Sequence, residues 1–538
     1  MVYLKSKLGS FFGKSLKVKN GHVEAFLGIK YGKYEPFHPP EIFSEYSSEI
    51  DASKPAPFFP QNLVPTQFMV TYLPWKKSLI RGFKSAGYAE IGDLHMNIFR
   101  PPDASHKPVM VWIHGGGFYI GGASQFDPSA LVHFEEVVVV AINYRLGAHG
   151  FAPEETANNG IRDQILALEW IQQNIAEFGG DANNVTIFGE SAGGMSVDTL
   201  VHSPLAEGLF RKAISQSGTL YSKIAPCDLL QAKDQYREVL KQPDEVELKD
   251  HIITLKQADF SRAEASLFGR GPFGPVLDYD VLPVLPEDMT DEKATVPYML
   301  GRCSGEGDAL LTATIPMYLK CGLLEGFSKE MFEMVVAGTI QRLAPSCEHE
   351  SDLFIEKIIE TYSHQLRCPE KMYSEIFCRW WGDLMLGIGP LKRAEEYAER
   401  GGDVFQYELQ LIPKHSHDRN FAGNLNLKPE WSRSDHCDDT LYMFGVPFLA
   451  GKYAQGDVRF TAEEENLSRR MMKAWADFAR SGDPGWEKYN ENKEIKFFDE
   501  EDLMGRFGDD ENLLERVKLF DQMYKKPDVH SFKLYSQI

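Results

Sequence analysis

The stretch Val185-Thr186-Ile187-Phe188-Gly189-Glu190-Ser191-Ala192-Gly193-Gly194-Met195-Ser196-Val197 decides how this chain folds. Its first four residues form an apolar, β-branched run suited to a buried strand. Gly189 and Gly193 flank Ser191 two residues away on either side, so the backbone turns sharply without β-carbon clashes. A helix is expected to follow, which holds the serine hydroxyl above a sheet at the helix's positive end. A bare Gly-x-Ser-x-Gly is as often a plain turn, so the chemistry must be sought in the rest of the chain.

Outward from that turn the pattern is α/β. Val109-Met110-Val111-Trp112-Ile113 and Val137 to Ile142 are continuous apolar runs, as buried parallel strands require. Gly160 to Phe178 reads as a helix with Ile161, Ile165, Leu168, Ile171, Ile175 and Phe178 on one stripe, ended by Gly179-Gly180. Further strands are expected at Gly21 to Tyr31, Leu94 to Phe99, Ala213 to Ser215, Val296 to Leu300 and Val404 to Leu409. Thr461 with Glu464 forms a capping box opening a helix that runs to about Arg480. Residues 1–20 read as a basic, weakly ordered lead-in. No repeat or low-complexity linker divides the remainder. Residues 21–538 are expected to form a single large α/β domain with a mostly parallel central sheet flanked by helices.

The 538 residues include 57 basic and 78 acidic side chains, a net charge of −21 that argues against nucleic acid or an anionic membrane as partner. The longest apolar run, Val137 to Ile142, is far too short to span a bilayer. Only short apolar pieces such as Phe11-Phe12 follow the basic N-terminus, so no secretory leader is expected. Seven cysteines, the first at Cys227 and none in paired metal spacing, read as free buried thiols. A cytoplasmic location is the expectation.

A nucleophilic serine needs a base, an acid to orient that base, and donors for the oxyanion. His114-Gly115-Gly116-Gly117-Phe118 directly follows a strand, and residues without side chains let backbone N–H groups approach a substrate closely. Gly116, Gly117 and Ala192 can thus form a three-donor oxyanion hole, each donor contributing about 3 kcal/mol in the transition state. Neither a phosphate-binding loop nor a dinucleotide fingerprint is present at this turn. In this arrangement acid and base follow the serine in the order Asp or Glu, then His. Glu306 lies in Arg302-Cys303-Ser304-Gly305-Glu306-Gly307-Asp308 after a strand, with Asp308 as its rival. His436, in Arg433-Ser434-Asp435-His436-Cys437-Asp438-Asp439, competes with His415 and His417 in a similarly polar loop. Spacing alone leaves both choices open. Arg145 is expected in a structural ion pair. Cys347-Glu348-His349-Glu350 reads as a solvated helix or loop rather than a metal site.

These residues together carry a resemblance. His114 to Phe118, Asn143-Tyr144-Arg145-Leu146-Gly147, Asn159-Gly160-Ile161-Arg162-Asp163-Gln164 and Phe178-Gly179-Gly180-Asp181 contribute to it. So do Gly189 to Gly194, Gln216-Ser217-Gly218, Phe273-Gly274-Pro275-Val276-Leu277-Asp278 and Trp475-Ala476-Asp477-Phe478-Ala479. From about Gly21 to Trp486 the chain resembles the type B carboxylesterases, the carboxylesterase and cholinesterase family of α/β hydrolases. The resemblance implies an α/β-hydrolase fold with Ser191 as nucleophile, Glu306 rather than Asp308 as acid, and His436 as base. It also implies Gly116, Gly117 and Ala192 as the oxyanion hole. Glu190 and Ser217 match positions that support the triad.

The departures narrow the expectation. The family's first disulfide pair falls on Phe59 and Asp93, which suits a reducing compartment. Cholinesterase acyl-pocket phenylalanines fall on Gly269 and Gly271, and the aromatic pair after the acid on Ala309 and Leu310. Trp75 lies in a poorly aligned loop, so cation–π recognition of a quaternary ammonium loses its support. Cholinesterase activity is therefore not expected, and the glycines leave room for larger acyl groups. The expected function is hydrolysis of carboxylic esters of small, largely apolar molecules, with no metal or organic cofactor. Acyl transfer to a small alcohol or amine would use the same triad. A non-catalytic binding or adhesion role would go with a lost triad residue, and none is lost.

Overall fold

The computed structural model describes residues 1–61, 87, 89–152, 156–222, 232–233, 274–285, 288–289, 296–308, 318–319, 321–343, 345–413, 429–449, 460–490, 492–500, 504–506 and 511–523. Among these, fourteen strands join in one sheet. They are β1 (Val2–Ser6), β2 (Gly9–Val18), β3 (Gly21–Lys33), β4 (Glu41–Ile42), β5 (Glu49–Asp51), β6 (Asp93–Arg100), β7 (Lys107–Ile113), β8 (Val138–Ile142), β9 (Gly180–Glu190), β10 (Lys212–Gln216), β11 (Tyr298–Cys303), β12 (Val404–Leu409), β13 (Glu494–Phe498) and β14 (Met504–Arg506). The order is β1-β2-β3-β6-β8-β7-β9-β10-β11-β12-β13-β14, with β4 on β3 and β5 on β2. From β8 to β13 every neighbouring pair is parallel; the flanking pairs are antiparallel except β5 on β2, which is parallel.

Alternation along the central strands builds a core on each face. Val109, Val111 and Ile113 of β7 enter one apolar cluster, while Met110 and Trp112 enter the other. Helices cover both faces, so the parallel strands are apolar throughout. Helix α1 (Asn159–Asn174) runs into a 3-10 turn ending at Phe178, and its expected stripe from Ile161 to Phe178 lies in the first cluster. Gly179, at φ 83°, then ends the turn. Helix α2 (Ala192–His202) follows the Ser191 turn. Helix α3 (Asp438–Met443) follows His436, and α4 (Ala462–Ser481) packs against it.

The capping box of α4 forms as expected: Thr461 Oγ1 accepts from Glu464 N–H, and Glu464 Oε2 accepts from Thr461 N–H at 2.8 Å. Glu464 also accepts from Tyr442 Oη, and Ser468 Oγ donates to Tyr442 O at 2.7 Å. The start of α4 thereby clamps the helix that carries the histidine loop.

One expectation requires correction. Residues 2–18 are not a weakly ordered lead-in; β1 and β2 form an antiparallel hairpin on the edge of the sheet. Phe11, which reads locally as a short apolar piece, is fully buried against Phe26 and Phe178. Among the described residues no helix is long and apolar enough to cross a membrane.

Candidate active site

The C-terminal ends of adjacent parallel strands bring the candidate residues to one edge of the sheet. Ser191 follows β9 at φ 59° and ψ −124°, a conformation strained for any residue with a β-carbon. Its N–H donates to Gln216 O at 2.8 Å and its carbonyl accepts from Met195 N–H at 2.9 Å, tying the turn to β10 and α2. A β-carbon on Gly193 would stand 2.0 Å from Ile113 O, and one on Gly189 would stand 2.6 Å from the Gly193 carbonyl. Only glycine fits at both places.

The loop after β7 faces this turn. Gly116 and Gly117 have φ of 111° and 62°, and a β-carbon on Gly116 would meet Ile120 O at 2.1 Å. His114 stacks on Tyr144 with ring centroids 4.4 Å apart, while Tyr144 Oη donates to His114 O at 2.7 Å. Burial pushes His114 down to about 4, so it is neutral at physiological pH. Gln61 exchanges two hydrogen bonds with Gly121, both 2.8 Å, and fixes the far end of the loop. Among the described residues, nothing accepts the N–H groups of Gly116, Gly117 and Ala192.

Glu306 and His436 come together from loops after β11 and β12. His436 Nδ1 donates to Glu306 Oε2 at 2.7 Å. The other carboxylate oxygen, Oε1, accepts from Ser217 Oγ and from Cys303 N–H, each at 2.6 Å. Asp308 takes a different part: its Oδ2 accepts from Arg433 N–H at 2.6 Å and ties the acid loop to the histidine loop. Gly305 N–H donates to Ser434 O at 2.8 Å, completing that tie. Burial raises Asp308 to about 7, with Arg433 opposing.

The imidazole is enclosed by carboxylates. Nε2 lies 3.0 Å from Glu190 Oε1, and that same oxygen accepts from Cys437 Sγ at 2.9 Å. Burial disfavours the imidazolium, but Glu190 and Glu306 outweigh it and hold His436 above the ordinary histidine range. Burial also holds the Glu190 carboxyl up, with His436 opposing. No hydrogen bond joins Ser191 Oγ to His436 among the described residues, since Nε2 faces Glu190. Such bonds commonly tighten only when substrate is bound.

Two functional neighbours escape a reading of the sequence. Asp439 accepts from Gln216 Nε2 at 2.9 Å and Tyr407 Oη at 2.7 Å, anchoring the histidine loop to β10 and β12. Cys437 sits at φ 72°, a left-handed conformation that favours glycine, and nothing in its spacing announces the contact with Glu190. Asp93, expected at a disulfide position from the resemblance, pairs with Lys30, and Phe59 is buried in the apolar core. Arg145 forms the expected buried ion pair, with Asp163. Trp75, Gly269, Gly271, Phe273, Ala309, Leu310, His415 and His417 lie outside the described residues.

Comparison with known proteins places the whole chain beside one family. A family model described as the carboxylesterase family matches residues 2–506. The chain is 34% identical to rat (Rattus norvegicus) carboxylesterase 1C over 512 residues, covering 90% of this chain and 87% of the relative. It is 36% identical to pig (Sus scrofa) liver carboxylesterase over 421 residues, covering 73% and 70% respectively. It is also 33% identical to a duck (Anas platyrhynchos) protein named fatty acyl-CoA hydrolase precursor, medium chain, covering 89% and 84%.

Proposed function

The chain belongs to the carboxylesterase family, and on that premise we propose that it hydrolyses carboxylic esters of small, largely apolar molecules through Ser191, His436 and Glu306. The observation that supports this most is the 2.7 Å hydrogen bond between Glu306 and His436, beside a strained serine turn. Neutral His436 takes the Ser191 proton through Nε2 as Oγ attacks the ester carbonyl. Glu306 holds the tautomer and offsets the charge that develops on the ring. Gly116, Gly117 and Ala192 donate to the oxyanion. The imidazolium protonates the departing alcohol. Water, deprotonated by the same nitrogen, then releases the acid. Glu190 and Ser217 hold the histidine and the acid in place.

Glycine at positions 269 and 271 favours acyl groups larger than acetyl, and the duck relative's name points the same way. A series of p-nitrophenyl esters of increasing chain length tests this. Medium chains are expected to exceed acetate in kcat/KM, with a burst of one p-nitrophenol per chain marking the acyl-enzyme. A strong preference for acetate would refute the roomy pocket. Product analysis with added alcohols or amines separates hydrolysis from acyl transfer.

No disulfide joins the six described cysteines, which supports work in a reducing, cytoplasmic setting.

The carboxylates around His436 set a pH dependence. Anionic neighbours stabilise the imidazolium, so the apparent pKa of the base lies above 6.5 and kcat/KM rises on the alkaline side of that value. Glu190→Gln removes one anion and weakens the imidazolium, so the rise should move to lower pH. A pH–rate profile of both proteins checks this; an unmoved midpoint would show that Glu190 does not act on the base.

A further inference from the structure

Cys437, His436 and Glu190 bring a thiol, an imidazole nitrogen and a carboxylate oxygen to one point beside the nucleophile. We propose that this cluster binds a borderline-soft divalent cation of the zinc class, and that binding reversibly switches the esterase off. Sγ of Cys437 and Nε2 of His436 lie 2.9 and 3.0 Å from the same oxygen, Oε1 of Glu190. The three ligand atoms all fall within 4.8 Å of one another, compact enough for one ion to reach each with small side-chain movements. Sulfur, nitrogen and oxygen together suit zinc, whereas magnesium and calcium demand oxygen alone.

The surroundings favour coordination. Glu306 holds Nδ1, which fixes the ring and aims Nε2 toward the cluster, as carboxylates do behind metal-bound histidines. Cys437 keeps its side chain in a left-handed conformation, φ 72°, where glycine would be unstrained. Three protein ligands would leave the fourth tetrahedral position for water.

On binding, the thiol proton and the proton on Nε2 both leave to solvent, Sγ bonds the metal as thiolate, and Nε2 bonds it through the lone pair that the mechanism uses for the serine proton. The metal therefore competes with general-base catalysis and takes no part in turnover. The inhibition rests on the proposed role of His436; the binding itself does not.

The test uses full-length enzyme stripped with EDTA. ZnCl2 should inhibit p-nitrophenyl ester hydrolysis, EDTA should restore it, and MgCl2 or CaCl2 at equal concentration should do nothing. Cys437→Gly, which suits the backbone, should raise the inhibiting zinc concentration at least about tenfold relative to its own metal-free rate. Cys437→Ser is the second variant should the glycine protein fail to fold. CoCl2 provides a readout independent of activity: a thiolate-to-cobalt charge-transfer band is expected in wild type and in Ser191→Ala, and absent from both Cys437 variants. Equal zinc sensitivity with and without the thiol, or no such band in wild type, overturns the proposal. If Ser191→Ala remained an active esterase, the catalytic reading would fall, while the cobalt spectrum would still decide the metal site.

Discussion

His436→Ala should lower kcat by about 10⁵–10⁶-fold while leaving the protein folded. The expected loss is this large because the proposed base would act as a unit with the serine and the acid. Without Nε2 the Ser191 proton has no acceptor, and the alcohol leaves without a proton donor. The hydrogen bond from Nδ1 to Glu306 and the clamp of Glu306 by Ser217 and Cys303 then orient nothing. Removing Glu306 in the histidine-free background should cost little more, since members of one catalytic unit are strongly non-additive. Steady-state kinetics on a p-nitrophenyl ester measure both. A loss under tenfold for His436→Ala would mean that another group serves as the base. The fold should survive, because the histidine loop is held by neighbouring groups: Asp439 on Gln216 and Tyr407, and Arg433 N–H on Asp308.

Arg145→Met should destabilise the protein by about 3–5 kcal/mol, the cost of leaving a buried carboxylate unpaired. Arg145 and Asp163 are both fully buried, joined at 2.7 Å through Nη2 and at 2.8 Å through Nε. The guanidinium also donates to His38 O at 2.8 Å and lies 4.4 Å from the Tyr34 ring. These contacts link the β8–α1 connection to α1 and to the loop after β3. With arginine gone, burial would force Asp163 to take up a proton or admit water. Arg145→Met combined with Asp163→Leu should be less destabilised than Arg145→Met alone, because no uncompensated charge remains. Chemical denaturation checks both variants. Equal stability of Arg145→Met and wild type would show that the pair contributes nothing net.

Where chemistry is local, the sequence is informative. Val404 to Leu409 is a strand with those limits, and Thr461 opens its helix, because strand runs and capping pairs are decided by adjacent residues. The Ser191 turn is local in the same sense: strand, glycine, serine, glycine and helix all lie within a short stretch. The edge hairpin β1–β2 was not legible, because the burial of Phe11 depends on Phe26 and Phe178 rather than on its own neighbours. The proposed acid and base, Glu306 and His436, lie 130 residues apart in sequence, and no period links them. Residue spacing therefore left Glu306 level with Asp308, and His436 level with His415 and His417; family resemblance made those choices. Cys437 was invisible for the same reason. Its contact with Glu190 spans 247 residues and depends on how two loops meet.

The most direct test of the catalytic reading is stoichiometric labelling with a fluorophosphonate, which reacts only with an activated serine. The account predicts one probe per chain, located by peptide mapping on Ser191, with ester hydrolysis lost in proportion to labelling and no labelling of Ser191→Ala. Labelling of Ser191→Ala to the same extent as wild type, or full activity retained after complete labelling, would contradict it.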